Sequence, residues 1–276
     1  MSLSSLFEPD SIQLALLAIL QGLTEFLPVS SSGHLVLAQA TLGERFTMDA
    51  LGVDVALHLG TLVAVVAVYR RALARILADL LSGHLRETLQ IVVASIPAAT
   101  LGLVFLESFE GAFHDPRKAA LGLLATAAIL LLGEQARRRQ IRHVAVDAGE
   151  PEDAPLTWKQ AILIGLAQGL AVWPGVSRSG ATIAMGLLCG LPAARAARFS
   201  FLLSVPAIAG ASLLHLPDAL AGGAPGAGAA RLAAAMLLAA LVGYGALRAL
   251  LSFLGRGAFS WFAIYCAVLG GATLLL

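Results

Sequence analysis

The 276-residue sequence predicts an all-α integral membrane protein with six transmembrane helices and two re-entrant helical hairpins in an inverted-topology repeat. Three observations lead there. Hydrophobic residues make up 58% of the chain and charged residues only 13%, with a mean hydropathy of +0.85, whereas a soluble domain carries roughly a quarter charged residues. The apolar residues are gathered into runs long enough to cross a bilayer. Two of the runs are interrupted in the middle by proline, glycine and serine, in nearly the same order each time.

A bilayer core of roughly 30 Å needs about 20 apolar residues per spanning helix. Residues 1–10 carry acidic but no basic side chains ahead of the first apolar run, so no cleavable leader is expected and this segment should stay in the mature chain. Residues 12–43 are broken at Pro28-Val29-Ser30-Ser31-Ser32-Gly33, which leaves two halves that are each too short to cross. Non-helical backbone at membrane depth is tolerated only where protein or a wet cavity satisfies it, so this segment reads as a hairpin that enters and leaves by one face. Spans at 53–69, 87–106 and 118–133 follow. Residues 159–191 are the second hairpin, broken at Pro174-Gly175-Val176-Ser177-Arg178-Ser179-Gly180, and spans at 199–216, 231–251 and 258–276 complete the chain. Cys189 and Cys266 stand far apart in apolar stretches, with neither disulfide nor zinc spacing.

Cytoplasmic loops of membrane proteins are enriched in Lys and Arg. Placing the 70–86 loop inside puts 13 of the 18 basic residues inside, among them Arg137, Arg138, Arg139, Arg142, Lys159, Arg195, Arg198, Arg248 and Arg256. Arg45, Arg117, Lys118 and Arg231 then lie outside, and Arg178 falls within the second hairpin. Both termini are outside in this layout, the first hairpin entering from outside and the second from the cytoplasm. The runs around Arg70 and Arg137 read as topology anchors, residues 222–228 as a flexible outside loop and 150–153 as a solvated one. A net charge of +1, with arginines clustered between apolar runs, excludes a nucleic-acid partner; the bilayer is the expected environment.

A shift of 147 residues aligns Gln21-Gly22-Leu23 with Gln168-Gly169-Leu170, and Val29-Ser30-Ser31-Ser32-Gly33 with Val176-Ser177-Arg178-Ser179-Gly180. Seven of the thirteen positions from 21 to 33 are identical without a gap. Each copy is followed by three spans, and an odd number of spans turns the second half upside down. The chain therefore reads as a single membrane domain, 1–276, built from repeat one (1–145) and repeat two (155–276). Such architectures place their site near the midplane, where the broken helices of the two halves meet. The Pro-Ala pairs at Pro97-Ala98 and Pro206-Ala207 lie outside this register.

Ionisable groups at that depth are expensive, and they serve a function or pair with one another. Glu25 and Arg178 could simply be partners, but an ion pair alone does not need the six hydroxyls of Ser30, Ser31, Ser32, Ser177, Ser179 and Thr182 and the nearby Gly33, Gly175 and Gly180. Close helix approach explains part of the glycine content. The functional reading is an anion cradle. Arg178 offers a planar fork of N–H donors, Gly33 and Gly180 free backbone N–H groups at a helix start, and the hydroxyls add neutral donors. A phosphoryl group fits such a cradle. Its transfer needs an oxygen nucleophile (Ser31 or a water), a group to manage the proton (His34) and positive charge on the transferring oxygens (Arg178). Glu25 would orient the histidine or hold a divalent cation bridging two phosphates. His58, His84, His114, His143 and His215 are isolated in sequence and read as interfacial or solvated, with Asp54 and His58 open to a supporting part in the cavity.

The residues Gln21-Gly22-Leu23-Thr24-Glu25-Phe26-Leu27-Pro28-Val29-Ser30-Ser31-Ser32-Gly33-His34 and Pro174-Gly175-Val176-Ser177-Arg178-Ser179-Gly180-Ala181-Thr182 resemble the two signatures of the bacterial undecaprenyl-diphosphatase family linked to bacitracin resistance. The likeness extends through Leu57-His58-Leu59-Gly60-Thr61 and the hydropathy of nearly the whole chain. The resemblance implies hydrolysis of a polyprenyl diphosphate lipid, undecaprenyl diphosphate, to the monophosphate and inorganic phosphate at the outer face of the cytoplasmic membrane, recycling the carrier for peptidoglycan. It also implies magnesium or calcium as cofactor, with Glu25 as a metal ligand. By resemblance Glu25, His34 and Arg178 match essential positions and Ser30, Ser31 and Ser177 match serines of the site; with the reading of the residues this makes Glu25, Ser31, His34 and Arg178 the candidate catalytic residues and Gln21, Ser30, Ser32, Gly33, Ser177, Ser179, Gly180 and Thr182 the candidate substrate-binding ones. Gln21 stands where relatives can carry a glutamate, so a two-carboxylate metal site is not available from this motif. The repeat leaves a polyprenyl-phosphate transporter or flippase as the alternative, and assembly as a homodimer stays open.

Overall fold

The computed structural model describes residues 9–42, 50–104, 111–113, 115–143, 156–221, 227–254 and 259–275. Every regular element among them is helical. In chain order these are α1 (Pro9–Phe26), α2 (Ser31–Leu42), α3 (Ala50–Leu81), α4 (Arg86–Val104), the turn α5 (111–113), α6 (Pro116–His143), α7 (Trp158–Leu170), α8 (Arg178–Leu188), α9 (Ala193–Ala221), α10 (Ala227–Phe253) and α11 (Phe259–Leu275).

Five stretches are long and apolar enough to cross a bilayer: Val53–Leu81, Arg86–Val104, Pro116–Ile141, Ala193–Leu214 and Ala229–Phe253. The sixth expected span corresponds to α11, which is apolar but 17 residues long. The chain is thus a multi-pass membrane protein. Its surface follows: Leu16, Val63, Leu103, Leu131, Leu241, Trp261 and Val268 are exposed, while Gln21, Glu25, Glu134, Thr182 and Ser200 are buried. A water-soluble domain shows the reverse, and polar groups turned inward are what an apolar solvent requires.

Several helices outrun the apolar segments from which they were expected. The first span ends by hydropathy at Tyr69, and there α3 kinks, with φ −97° and ψ 16°, before running on to Leu81 past Arg70, Arg71 and Arg75. Backbone hydrogen bonds sustain a helix beyond the apolar zone. Residues 227 and 228, expected in a loop, open α10; the rest of that loop, 222–226, and the 150–153 loop lie outside the described residues. Arg137 is more than a topology anchor: it and Arg138 hold the buried Glu134 carboxylate, at 2.9 and 2.7 Å.

Both expected breaks are present. The chain leaves α1 at Phe26 and resumes helix at Ser31, and it leaves α7 at Leu170 and resumes at Arg178. In each case the two halves pack on one another. Small residues bring the surrounding helices close, as they do in membranes. Gly22 of α1 lies against Ala239 and Gly243 of α10, Gly60 of α3 against Met236 and Ala239, and Gly165 and Gly169 of α7 against Ala94, Pro97 and Leu101 of α4. The glycines of the two aligned Gln-Gly-Leu triplets, Gly22 and Gly169, thus serve the same purpose in the two halves.

Candidate active site

The α1–α2 and α7–α8 breaks meet. Gly175 N–H donates to Ser32 Oγ at 3.4 Å, Ser179 Oγ donates to the Leu27 carbonyl at 3.4 Å, and a Cβ on Gly33 would come within 2.9 Å of Gly175 Cα. Each second helix is capped in the same way. Ser30 Oγ accepts the Gly33 N–H at 3.2 Å and Ser177 Oγ accepts the Gly180 N–H at 3.1 Å, the usual answer to unsatisfied donors at a helix start. Ser30–Ser32 and Ser177–Ser179 hydroxyl pairs, both at 3.2 Å, complete the likeness.

The backbones of the breaks differ. Ser30 has φ 69°, the left-handed region that side-chain-bearing residues rarely adopt. In the second break Gly175, at φ 86°, takes the left-handed conformation, and a Cβ there would overlap the Ala119 carbonyl of α6. Thr126 of α6, itself buried, secures this turn: its hydroxyl donates to the Gly175 carbonyl and accepts the Ser177 N–H, both at 2.8 Å.

Glu25, buried in the last turn of α1, is the charged centre. Arg178 Nη2, from the first turn of α8, approaches its Oε1 at 2.7 Å. On Oε2 converge the Ser31 hydroxyl at 2.5 Å, Gln21 Nε2 at 3.1 Å and His58 Nε2 at 3.8 Å. Two buried atoms at this centre have no partner among the described residues: Arg178 Nη1 and Gln21 Oε1. A buried donor without an acceptor is costly, and a guanidinium N–H is well matched to a phosphate oxygen.

His34 follows Ser31 by three residues on α2, so the two share a face. Its Nδ1 lies 2.7 Å from the Ser30 carbonyl, and its Nε2 2.7 Å from the hydroxyl of Tyr265 on α11. The left-handed turn at Ser30 aims that carbonyl at the imidazole.

Gln21, Glu25, Ser31 and Arg178 are therefore brought together, with His34 one turn along from Ser31. The remaining hydroxyls are engaged within the protein. Ser30 and Ser177 cap helices, Ser179 binds the Leu27 carbonyl, and Thr182 donates to the Arg178 carbonyl at 2.7 Å while pairing with Ser200 at 2.6 Å. His58, the histidine with an open supporting part, donates through Nδ1 to the Asp54 carbonyl and faces Glu25. His84 is exposed, and the side chains of His114, His143 and His215 lie outside the described residues. Thr126 and Tyr265 were not expected at the site. A single Thr or Tyr within an apolar span carries no sequence signal of its own. Among the described residues no three His, Cys, Asp or Glu side chains gather as a metal-ligand group. The donors present for a cation are the Glu25 carboxylate and the unpartnered Gln21 Oε1, an all-oxygen pair of the kind magnesium and calcium accept.

Residues 14–272 match the family model described as Bacitracin resistance protein BacA. The chain is 42% identical to an undecaprenyl-diphosphatase of Rubrobacter xylanophilus over 97% of this chain and 99% of that protein. It is 44% identical to one of Desulfosudis oleivorans, over 96% and 98%. A third, of Methanosphaera stadtmanae, is 35% identical over 97% and 98%.

Proposed function

The chain belongs to the bacitracin resistance protein BacA family, and from that premise we propose that it is an undecaprenyl-diphosphatase, hydrolysing undecaprenyl diphosphate to undecaprenyl phosphate and inorganic phosphate. The observation that carries this reading is the contact between Arg178 of one half and Glu25 of the other, which leaves Arg178 Nη1 buried and unpartnered beside the Ser31 hydroxyl's own acceptor. That is a donor waiting for an anionic oxygen, next to an oxygen nucleophile.

In the reaction, Arg178 holds the terminal phosphoryl oxygens and offsets the charge that accumulates on them. The attacking oxygen is that of Ser31 or of a water beside it. It bonds to the terminal phosphorus, the bond from phosphorus to the bridging oxygen breaks, and undecaprenyl phosphate leaves. The proton shed by the attacking oxygen ends on His34. Where Ser31 attacks, a water then cleaves the phosphoserine by the same proton route. Glu25 accepts the Ser31 hydroxyl and keeps Arg178 in place. Glu25 and the carboxamide oxygen of Gln21 are the side chains that would hold a divalent cation. When bound, such an ion neutralises charge shared between the two phosphates.

The finer architecture belongs to the same proposal. The two broken segments are re-entrant hairpins, α11 completes six spans, and the halves are inverted copies within one membrane domain. Support comes from helices of 12, 13 and 11 residues in the broken segments, short of the roughly 17–25 residues that cross. It comes also from the matched serine caps and from the equivalent placing of Gly22 against α10 and Gly169 against α4. On this reading the protein sits in the bacterial cytoplasmic membrane with its site open to the outer side; the family membership and the arginine-rich loops on one side support it.

Purified protein in detergent should release phosphate from undecaprenyl diphosphate. His34→Ala and Arg178→Ala should each abolish most of that release, and variants as fast as the parent would defeat the assignment.

A further inference from the structure

Both ring nitrogens of His34 are committed. The Ser30 carbonyl can only accept, so the hydrogen of the neutral imidazole sits on Nδ1 and the lone pair on Nε2. That lone pair faces the Tyr265 hydroxyl at 2.7 Å, and the phenol therefore donates to it. The two rings are nearly parallel, at 4°, with centroids 5.6 Å apart. His34 is 6% exposed and Tyr265 46%. The one atom of His34 able to take a proton is thus covered by a hydroxyl on a more open residue.

We propose that Tyr265 is the proton relay of His34, an inference that rests on the reading of His34 as proton acceptor. The Ser31 hydroxyl already donates to Glu25, so the relay serves an attacking water: as its oxygen bonds to phosphorus, its hydrogen passes to the Tyr265 oxygen while the phenolic hydrogen passes to Nε2. One O–H bond breaks at the attacking oxygen and one at the phenol; one O–H forms at the phenol and one N–H at Nε2. The phenol is regenerated, and the imidazole holds the proton with its charge. A phenol suits this place because it is both donor and acceptor: after transfer it accepts from Nε2–H, so His34 keeps a partner in either state. Tyr265 takes the hydrogen from the attacking oxygen itself and is, on this proposal, a catalytic residue.

The test compares parent, Tyr265→Phe and His34→Ala for phosphate release from undecaprenyl diphosphate in detergent, across substrate concentrations and in H2O–D2O mixtures. Phenylalanine keeps the ring and removes only the hydroxyl. For Tyr265→Phe, kcat should fall about 100-fold with KM within about twofold, the size and the kcat-against-KM split of a lost proton-transfer step. The parent rate should fall along a curve with deuterium fraction, two protons moving together, and the Tyr265→Phe rate along a straight line. A Tyr265→Phe enzyme with the parent kcat, or a faster one, overturns the relay, as does a change confined to KM. Should Tyr265→Phe fail to fold, the parent decides: a straight deuterium dependence overturns the proposal and a curved one upholds it. An inactive parent sinks the hydrolase reading, and a His34→Ala enzyme as fast as the parent sinks the reading of His34 as proton acceptor; each is told apart from a failure of the relay by that alone.

Discussion

Arg178 Nη2 lies 2.7 Å from Glu25 Oε1, although 153 residues separate the two and each sits at a break in its own half of the chain. The contact uses one arm of the guanidinium and leaves Nη1 unpartnered. Arg178→Lys keeps the charge but presents a point donor in place of a fork. A lysine that pairs with Glu25 has no rigid second arm for the phosphoryl group. We expect phosphate release to drop at least about tenfold, equivalent to about 1.4 kcal/mol, while the folded protein survives. Arg178→Ala is harsher, because it strands a buried carboxylate at a cost of about 3–5 kcal/mol, so its thermal midpoint in detergent should fall alongside its activity. A lysine enzyme as fast as the parent would show that charge alone is used.

Thr126 should prove as important to the second break as any residue of the motif itself. Its hydroxyl is both donor to Gly175 and acceptor from Ser177, at 2.8 Å each. Thr126→Val preserves shape and strands a buried carbonyl and a buried N–H, each worth about 1–3 kcal/mol. Thr126→Ser keeps both bonds. The valine variant should lose thermal stability and phosphate release together, and the serine variant should retain most of both. Equal behaviour of the two would mean that the turn holds without this clamp.

Ser30 stores backbone strain that its glycine variant should relieve. At φ 69° a residue with a Cβ loses roughly 1–2 kcal/mol, and glycine loses little. Ser30→Ala and Ser30→Gly both remove the Oγ that caps α2, so the difference between them isolates the backbone contribution. The glycine variant should unfold at the higher temperature by an amount equivalent to about 1 kcal/mol. It should also be the more active, because the left-handed turn directs the Ser30 carbonyl at His34 Nδ1. Identical melting of the two variants would remove strain from the account.

The membrane class, the two broken segments and the meeting of Glu25 with Arg178 were legible because each has a local signal. Hydropathy runs mark solvent, a Pro-Gly-Ser cluster marks broken helix, and a repeated motif says that two distant breaks share an environment. What was illegible depends on direction or distance. The hydroxyl of Thr182 turns back onto the Arg178 carbonyl, a choice open to any helical threonine, so the motif does not say which way it points. Tyr265 reaches His34 across 231 residues, with nothing in Phe262-Ala263-Ile264-Tyr265-Cys266 to mark it. Helix ends went astray for a third reason: hydropathy reports where lipid stops, at Tyr69 in α3, and the helix itself stops at Leu81.

The pair formed by Glu87, in the first turn of α4, and Arg198 of α9 ties the two halves together away from the motif residues. Arg198 Nη1 stands 2.6 Å from Glu87 Oε1, with the two side chains only 11% and 16% exposed. Desolvation makes such a pair expensive to form, so its net contribution is small, but a Glu87 carboxylate that loses Arg198 is worse than both charges or neither. Arg198→Leu alone, which takes this cation away from the Glu87 carboxylate, should therefore cost about 3–5 kcal/mol and lower the thermal midpoint clearly, and Glu87→Gln alone should cost less. The double variant, with two residues of suitable volume and no charge, should recover most of the loss. A double-mutant cycle measured by thermal unfolding in detergent reads the coupling directly, and additive losses would show that the two side chains are solvated independently and that the α4–α9 contact is held by apolar packing alone.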